Sequence, residues 1–272
     1  PEFDGSKTEY TVSVPYSVAT VTVGAIANNS EATVTGTGTK SLTVGANTIT
    51  VTVTAGDKTT KTYTITVTRE KDTDNTLKSL NLTSCTLSPA FASGTTAYAC
   101  TVANSVTETT VTAESTSSVA TIAGTGKKTL NVGDNTINVV VTSQSGATKT
   151  YTVTVHRKSN DATLSSLSVT GYTLTPAFTS STTNYALTVP SSVSSITVNA
   201  TKNHSAASVS GTGAKTLVAG LNAIKVTVTA EDGNTNEYVI NVKRMTVDTV
   251  TLSAVNTTYT GSAIGANTAT AK

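Results

Sequence analysis

The chain is built from one sequence unit that is used three times. A glycine-rich segment at residues 36–54 recurs with few changes at 124–142 and 211–229, at intervals of 88 and 87 residues. Single residues recur at the same interval: Tyr10, Tyr98 and Tyr185; Tyr63, Tyr151 and Tyr238; Arg69, Arg157 and Arg244. A fixed interval indicates one folded unit repeated along the chain, and about 87 residues are enough to enclose a core.

Each unit alternates apolar residues with threonine. Ile49, Val51 and Val53 are separated by single threonines, and 63 of the 272 residues are threonine. Alternation with period two, bounded by Gly, Asn and Asp, predicts antiparallel strands with one buried face. We count seven short strands in the third unit: 164–170, 172–175, 184–189, 195–201, 207–210, 215–218 with 222–230, and 236–243. This number fits an all-β, immunoglobulin-like sandwich.

The interval also sets the domain boundaries. We predict sandwich 1 at residues 1–70, sandwich 2 at 75–157 and sandwich 3 at 161–245. Sandwich 1 has no counterpart of the leucine-rich segment that opens the other two units, so we expect its first strand to be missing. Residues 246–272 leave the interval, and they are either the start of a different Ig-like module or a tail able to donate a strand.

Sandwich 3 carries a recognisable set of motifs. Its residues 164–178 read LSSLSVTGYTLTPAF, residues 182–185 read TTNY, and the unit ends with GNTNEYVINVKR at 233–244. These motifs resemble the cadherin-like β-sandwich repeat of bacterial cell-surface proteins. The resemblance implies tandem Ig-like sandwiches in large extracellular proteins, used as spacers or adhesion modules, and it supplies no catalytic residue and no cofactor.

The two cysteines both lie in sandwich 2, and neither recurs. Cys100 stands where the other units have Val12 and Leu187, at an inward position, and Cys85 stands in the place of Tyr172. A disulfide would close a loop of about 15 residues and stabilise the fold by roughly 3 kcal/mol. The alternative is a pair of buried thiols that fill core space.

The first linker offers a weak calcium site. Glu70, Asp72 and Asp74 lie close together in sequence, but calcium needs six to eight oxygen ligands. The alternative is a solvated polar hinge, and otherwise we expect no metal. The Gly-Thr-Gly segments lack the helix of a phosphate-binding loop, so we interpret them as tight turns that need positive φ.

Composition argues against several function classes. Charged residues make up 12% of the chain and the net charge is +2, which does not favour nucleic-acid binding. No apolar run is long enough for membrane insertion. The two histidines, His156 and His204, are isolated in sequence, so no catalytic arrangement can be assembled and we do not expect an enzyme.

We therefore expect a structural or adhesive segment of a bacterial surface protein, extracellular, whose partners are other domains of that protein or neighbouring subunits. A host or matrix protein or a glycan is a further possible partner. One alternative is a filament in which a strand such as 249–263 adds to the incomplete sandwich 1. Another is a carbohydrate-binding module using Tyr16 or Tyr172, although tryptophan, common on glycan platforms, is absent.

Overall fold

The computed structural model describes residues 2–247, and every regular element in that range is a β-strand. The chain divides into two compact units. The first contains the residues up to 160 together with 231–233, and the second contains 161–230 together with the residues from 234 onward. The all-β class predicted from the alternating pattern is confirmed.

Sandwich 1, in the first unit, has six strands. They are β1 Glu9–Val14, β2 Thr20–Val23, β3 Thr33–Thr35, β4 Gly38–Ser41, β5 Gly45–Thr54 and β6 Thr60–Arg69. One sheet has the order β1-β6-β5-β3, and the facing sheet contains only β2 and β4. The long β5–β6 hairpin forms because Ile49 and Val51 alternate with threonines that face solvent.

Sandwich 2, also in the first unit, has seven strands. They are β7 Leu77–Leu82, β8 Ala97–Val102, β9 Glu108–Ser115, β10 Thr121–Ala123, β11 Gly126–Thr129, β12 Gly133–Thr142 and β13 Thr148–Arg157. The sheets have the orders β10-β12-β13-β8 and β11-β9-β7. The opening strand β7 therefore completes the smaller sheet.

Sandwich 3 repeats the same plan. Its strands are β14 Leu164–Val169, β15 Asn184–Val189, β16 Ser195–Lys202, β17 Ser208–Ser210, β18 Gly213–Thr216, β19 Gly220–Thr229 and β20 Thr235–Arg244. The sheets have the orders β15-β20-β19-β17 and β14-β16-β18. The predicted total of seven strands agrees with the structure only as a number, because residues 172–175 form no strand and the stretch 215–218 with 222–230, counted once, is the two strands β18 and β19.

Two details of the strand prediction were wrong. Residues 172–175 form only isolated bridges, Tyr172 to Val169 and Thr175 to Ala186; Pro176 follows directly and has no N–H for a ladder. In addition, β1–β6, β8–β13 and β15–β20 pair in parallel. Alternation identifies the two faces of a strand but not its direction, so sequence alone could not reveal this pairing.

The Gly-Thr-Gly segments are tight turns, as predicted. Gly124 has a φ of 92°, and a Cβ on it would lie 2.0 Å from the Asn138 carbonyl oxygen. Gly36 and Gly211 have the same geometry. The repeated asparagine fixes the next turn: Asn135 Oδ1 accepts the Asn131 N–H at 2.8 Å, and its Nδ2 donates to the Asn131 and Gly133 carbonyls.

Candidate strand-binding groove

Sandwich 1 has an open apolar groove on the side where sandwich 2 carries β7. The groove encloses a cavity of about 550 Å³. Both sheets contribute side chains to it, and most of these are apolar: Phe3, Tyr10, Val12, Val23, Ala25, Ile26, Ala27, Ala32, Val51, Val53, Ala55, Tyr63 and Ile65. A mostly apolar concave surface with a few polar groups is the usual form of a binding site.

The groove exists because core positions of the repeat are uncovered in sandwich 1. Val53 and Ile65 are only half-buried, whereas their counterparts in sandwich 2, Val141 and Val153, are both 0% exposed. Val12 is 38% exposed, while its counterpart Cys100 is 8% exposed. The same sequence positions thus change from core to surface when the opening strand is absent.

The strand beside the groove is shorter than its counterparts. β2 ends at Val23 and spans 4 residues, whereas β9 and β16 each span 8. Residues 24–27 correspond to the second half of β9, and Ile26 within them is 96% exposed. In the complete sandwiches, β7 pairs with the second half of β9 and β14 pairs with the second half of β16. The extended conformation of this second half therefore depends on a partner strand.

A repeated tyrosine hydroxyl marks one end of the groove. In sandwich 2, Tyr151 Oη accepts the Leu77 N–H at 3.1 Å and donates to the Ser93 carbonyl at 2.8 Å. Tyr238 makes the same two bonds with Leu164 and Ser180. Among the described residues, Tyr63 Oη bonds only the Gly5 carbonyl, at 3.1 Å.

An aromatic cluster borders the same end of the groove. Phe3 packs on Tyr10 and Tyr63, with ring centroids 5.9 and 5.7 Å apart, and it is 70% exposed. Phe91 makes the equivalent contacts with Tyr98 and Tyr151 in sandwich 2. The ring contacts of Phe3 are therefore the same as those of Phe91 in sandwich 2. The difference is that no opening strand lies beside them in sandwich 1.

The predicted cysteine pair lies in sandwich 2. Cys85 and Cys100 are joined by a disulfide with their Cα atoms 6.0 Å apart. Cys100 lies in β8 and Cys85 in the loop after β7, so the bond attaches this loop to β8. Cys100 is a buried core residue and Cys85 packs against the same core.

Two of the three candidate calcium ligands in the first linker, Asp72 and Asp74, already accept hydrogen bonds. Asp72 accepts from the Ser117 hydroxyl at 2.5 Å and from the Asp74 N–H at 3.0 Å. The Ser117 bond lowers the pKa of Asp72. Asp74 in turn accepts from the N–H and the hydroxyl of Thr76. Within residues 2–247 no three Asp, Glu, His or Cys side chains form a metal-binding group, and calcium at Glu70, Asp72 and Asp74 stays a hypothesis.

His156 lies between two carboxylates of the first unit. Its Nδ1 is 2.5 Å from Asp134 Oδ1, and its Nε2 is 2.6 Å from Glu231 Oε1. The hydrogen bonds to Asp134 and then Glu231 raise the pKa of His156 above 6.5. Sequence spacing could not indicate this cluster, because Asp134 and Glu231 lie 22 and 75 residues from His156.

The two tyrosines suggested for glycan binding are not free platforms. The Tyr16 ring faces the Arg69 guanidinium at 4.6 Å, and Tyr172 packs against the core of sandwich 3. The repeated arginines have a structural role that their spacing did not reveal. Arg157 donates from Nε to the Asn104 carbonyl at 2.8 Å and from Nη1 to the Leu130 carbonyl at 2.9 Å, which joins two loops.

Comparison with known proteins identifies the family. The sequence model of the cadherin-like β-sandwich domain matches residues 1–70, 77–158 and 164–245. The chain belongs to this cadherin-like β-sandwich family. Such domains indicate an extracellular adhesive or structural role in contact with other proteins.

Other similarities are partial. A protein of Evansella cellulosilytica, whose name provisionally describes it as a membrane protein, is 38% identical over 100 residues, 33% of this chain. The match covers 15% of that protein's length. Drosophila N-cadherin EC1-3 aligns over 89% of this chain and 100% of its own with 9% identity and a TM-score of 0.35. Mouse cadherin-23 EC22-24 aligns over 89% and 97% with 13% identity and a TM-score of 0.35. In the described part of the chain, no helix has the length and hydrophobicity of a membrane span.

Proposed function

We propose that this chain is a non-enzymatic spacer segment of a bacterial surface protein, which holds other domains of that protein away from the cell. The observation that supports this role is the repetition itself. Sandwiches 2 and 3 have the same strand order, the same tyrosine and arginine bonds and well-filled cores. Repeating one closed unit adds length without adding chemistry.

The first linker also supports a spacer. Asp72 N–H donates to Gln144 Oε1 at 3.0 Å, and Ser145 N–H donates to the Asp72 carbonyl at 2.9 Å. These bonds attach the segment between sandwiches 1 and 2 to the β12–β13 turn. A linker with such bonds bends less freely than a solvated one.

A display experiment tests this function. The chain is placed between a cell-surface anchor and a small binding domain, and capture of bead-bound ligand by that domain is measured. We expect deletion of 1–245 to reduce capture and three copies of 161–245 to restore it. If the three identical copies fail, specific surfaces of sandwiches 1 and 2 are needed and the chain is an adhesin rather than a spacer.

The groove of sandwich 1 favours a second candidate function, assembly with neighbouring subunits by strand addition. Its apolar floor and shortened β2 match what an incomplete sheet presents to an added strand. Residues 249–263, the donor suggested by the sequence, lie outside the described residues. Light scattering on the chain with and without residues 246–272 tests the filament, since a monomer in both cases would exclude it.

A further inference from the structure

We propose that the His156 cluster, formed by His156, Asp134 and Glu231, is a pH-dependent lock that holds the linker after β13 at low pH and releases it as the pH rises. All three residues belong to the first compact unit. The inference goes beyond the spacer role, because it assigns a regulated property to one linker, and its test does not depend on that role.

The geometry of the imidazole ring requires its charged form. His156 Nδ1 lies 2.5 Å from Asp134 Oδ1, and Nε2 lies 2.6 Å from Glu231 Oε1. An ionised carboxylate only accepts hydrogen bonds, so both ring nitrogens must donate, and only the imidazolium carries two N–H groups. The bonds to Asp134 and then to Glu231 also raise the pKa of His156 above 6.5.

Deprotonation leaves one N–H for two carboxylates. The charged groups that face the ring are Asp134 from β12 and Glu231 from the turn between β19 and β20. Asp134 lies directly opposite His156 in the β12–β13 ladder, so the backbone keeps it beside the ring. Glu231 lies outside that ladder. The neutral ring therefore keeps its proton towards Asp134, and its Nε2 lone pair repels the Glu231 carboxylate.

Glu231 transmits this change to the linker. Its second carboxylate oxygen, Oε2, accepts the Ser159 N–H at 3.0 Å, and the Asp232 N–H donates to the Ser159 carbonyl at 3.1 Å. Ser159 is the second residue after β13, and it is 2% exposed. When Glu231 moves away from the neutral ring, the bonds that hold Ser159 are weakened.

The first linker has the same kind of bond without a titrating partner. Asp72, like Ser159, donates its N–H to a side chain of the following hairpin turn, in this case to Gln144 Oε1 at 3.0 Å. Gln144 occupies the position of Glu231 one repeat earlier, and its side-chain amide is neutral. The first linker is therefore a pH-independent reference within the same molecule.

Trypsin cleavage of the full chain tests the lock. Lys71 and Lys158 directly precede Asp72 and Ser159, so cleavage after each lysine reports how often its linker opens. The initial rate after Lys158 is divided by the initial rate after Lys71, which cancels the pH dependence of the protease. We expect this ratio to rise about tenfold between about pH 6 and about pH 9, because a charge-assisted bond is lost.

Three variants assign the rise to named groups. Glu231→Gln should keep the ratio low at both pH values, because an amide can accept the Ser159 N–H and can pair with either form of the ring. His156→Gln should give a high ratio at both pH values, because no charged donor remains. Glu237→Gln, on β20 of the same hairpin, is the matched control and should keep the pH dependence of the parent chain.

Four results would overturn the proposal. The first is a ratio in the parent chain that does not change with pH. The second is a rise that persists in Glu231→Gln, and the third is a rise that persists in His156→Gln, since another group would then titrate. The fourth is a rise that coincides with loss of the β-sheet circular dichroism, because the linker would then open by general unfolding and not by release of Glu231.

Discussion

The repeated glycines of this protein are required by backbone geometry and not by a chemical function. Gly36, Gly124 and Gly211 recur because each has positive φ and a carbonyl oxygen where a Cβ would be. The sequence interval suggested a special role for these glycines. The turn interpretation, and not the phosphate-loop interpretation, is confirmed.

A graded glycine series tests this geometry in sandwich 2. We expect Gly124→Ala to lower the free energy of unfolding by more than about 2 kcal/mol, because it combines positive φ with a close backbone contact. Gly126 has a φ of 88°, but a Cβ on it would have no neighbour within 4 Å. Gly126→Ala should therefore lower the free energy of unfolding by about 1–2 kcal/mol. Gly94→Ala, which has open space and no positive φ, should stay within about 0.5 kcal/mol. Denaturant titrations of the three variants measure these differences, and equal losses would refute the explanation.

The His156 cluster predicts a pH dependence of stability. The pKa of His156 is raised in the folded chain by Asp134 and Glu231. Its contribution is therefore fully present below the unfolded pKa of about 6.5 and is lost as the pH rises through the folded pKa.

We expect His156→Gln to lower the melting temperature more at about pH 5.5 than at about pH 9. Thermal unfolding of both proteins at the two pH values provides the measurement. A His156→Gln deficit that is independent of pH would mean that the ring acts by packing alone.

At the level of elements, the disulfide joins the loop after β7 to β8 at two positions where sandwich 3 has packed side chains. Sandwich 3 has Tyr172 and Leu187 at the two cysteine positions, and both pack in its core. The residues after β7 and β14 thus approach the same neighbours, with a covalent bond in one sandwich and side-chain packing in the other.

Removal of the disulfide should lower the stability of sandwich 2 by about 3 kcal/mol, the value for a loop of 15 residues in the chain-entropy account. The variant Cys85→Ala with Cys100→Val keeps an aliphatic side chain at the core position, as Leu187 does in sandwich 3. Urea unfolding with and without reductant measures the effect. Reductant should destabilise only the parent chain, and a variant as stable as the oxidised parent would contradict the estimate.

Elements also show what the sequence could and could not predict. Alternation in segments such as 45–54 was sufficient to place the hairpin strands and their buried faces. It could not show that β8 runs parallel to β13, nor that Pro176 limits residues 172–175 to single bridges. Those features depend on contacts between distant segments. The groove of sandwich 1 was predictable, because comparison of the repeats shows that sandwich 1 lacks the opening strand. The His156 cluster was not predictable, because His156, Asp134 and Glu231 do not recur in the other repeats.

At the level of the whole molecule, the three sandwiches differ in how much core they contain. In the described residues, the buried apolar side chains number five in sandwich 1, fifteen in the core of sandwich 2 and nineteen in that of sandwich 3. Burial of apolar area is the main stabilising contribution to folding. Sandwich 1 should therefore be the least stable of the three.

Amide hydrogen exchange checks this order. We expect the amides of Ile49 and Val51 to exchange faster than those of Ile137 and Val139, their counterparts in sandwich 2. Local opening free energy follows the number of buried contacts, so the difference should exceed tenfold. Equal exchange in the two hairpins would show that sandwich 1 is stable without its opening strand.

The parallel pairing of β1 with β6 has a mechanical consequence. These are the first and last strands of sandwich 1, paired from Glu9 with Thr64 to Val14 with Arg69. Tension applied at the two ends of the domain pulls the two strands lengthwise in opposite directions. All backbone hydrogen bonds between the two strands are then loaded in shear at the same time. They do not break one after another, as they would if the strands were peeled apart. A domain loaded in tension resists unfolding through this geometry even where its core is small.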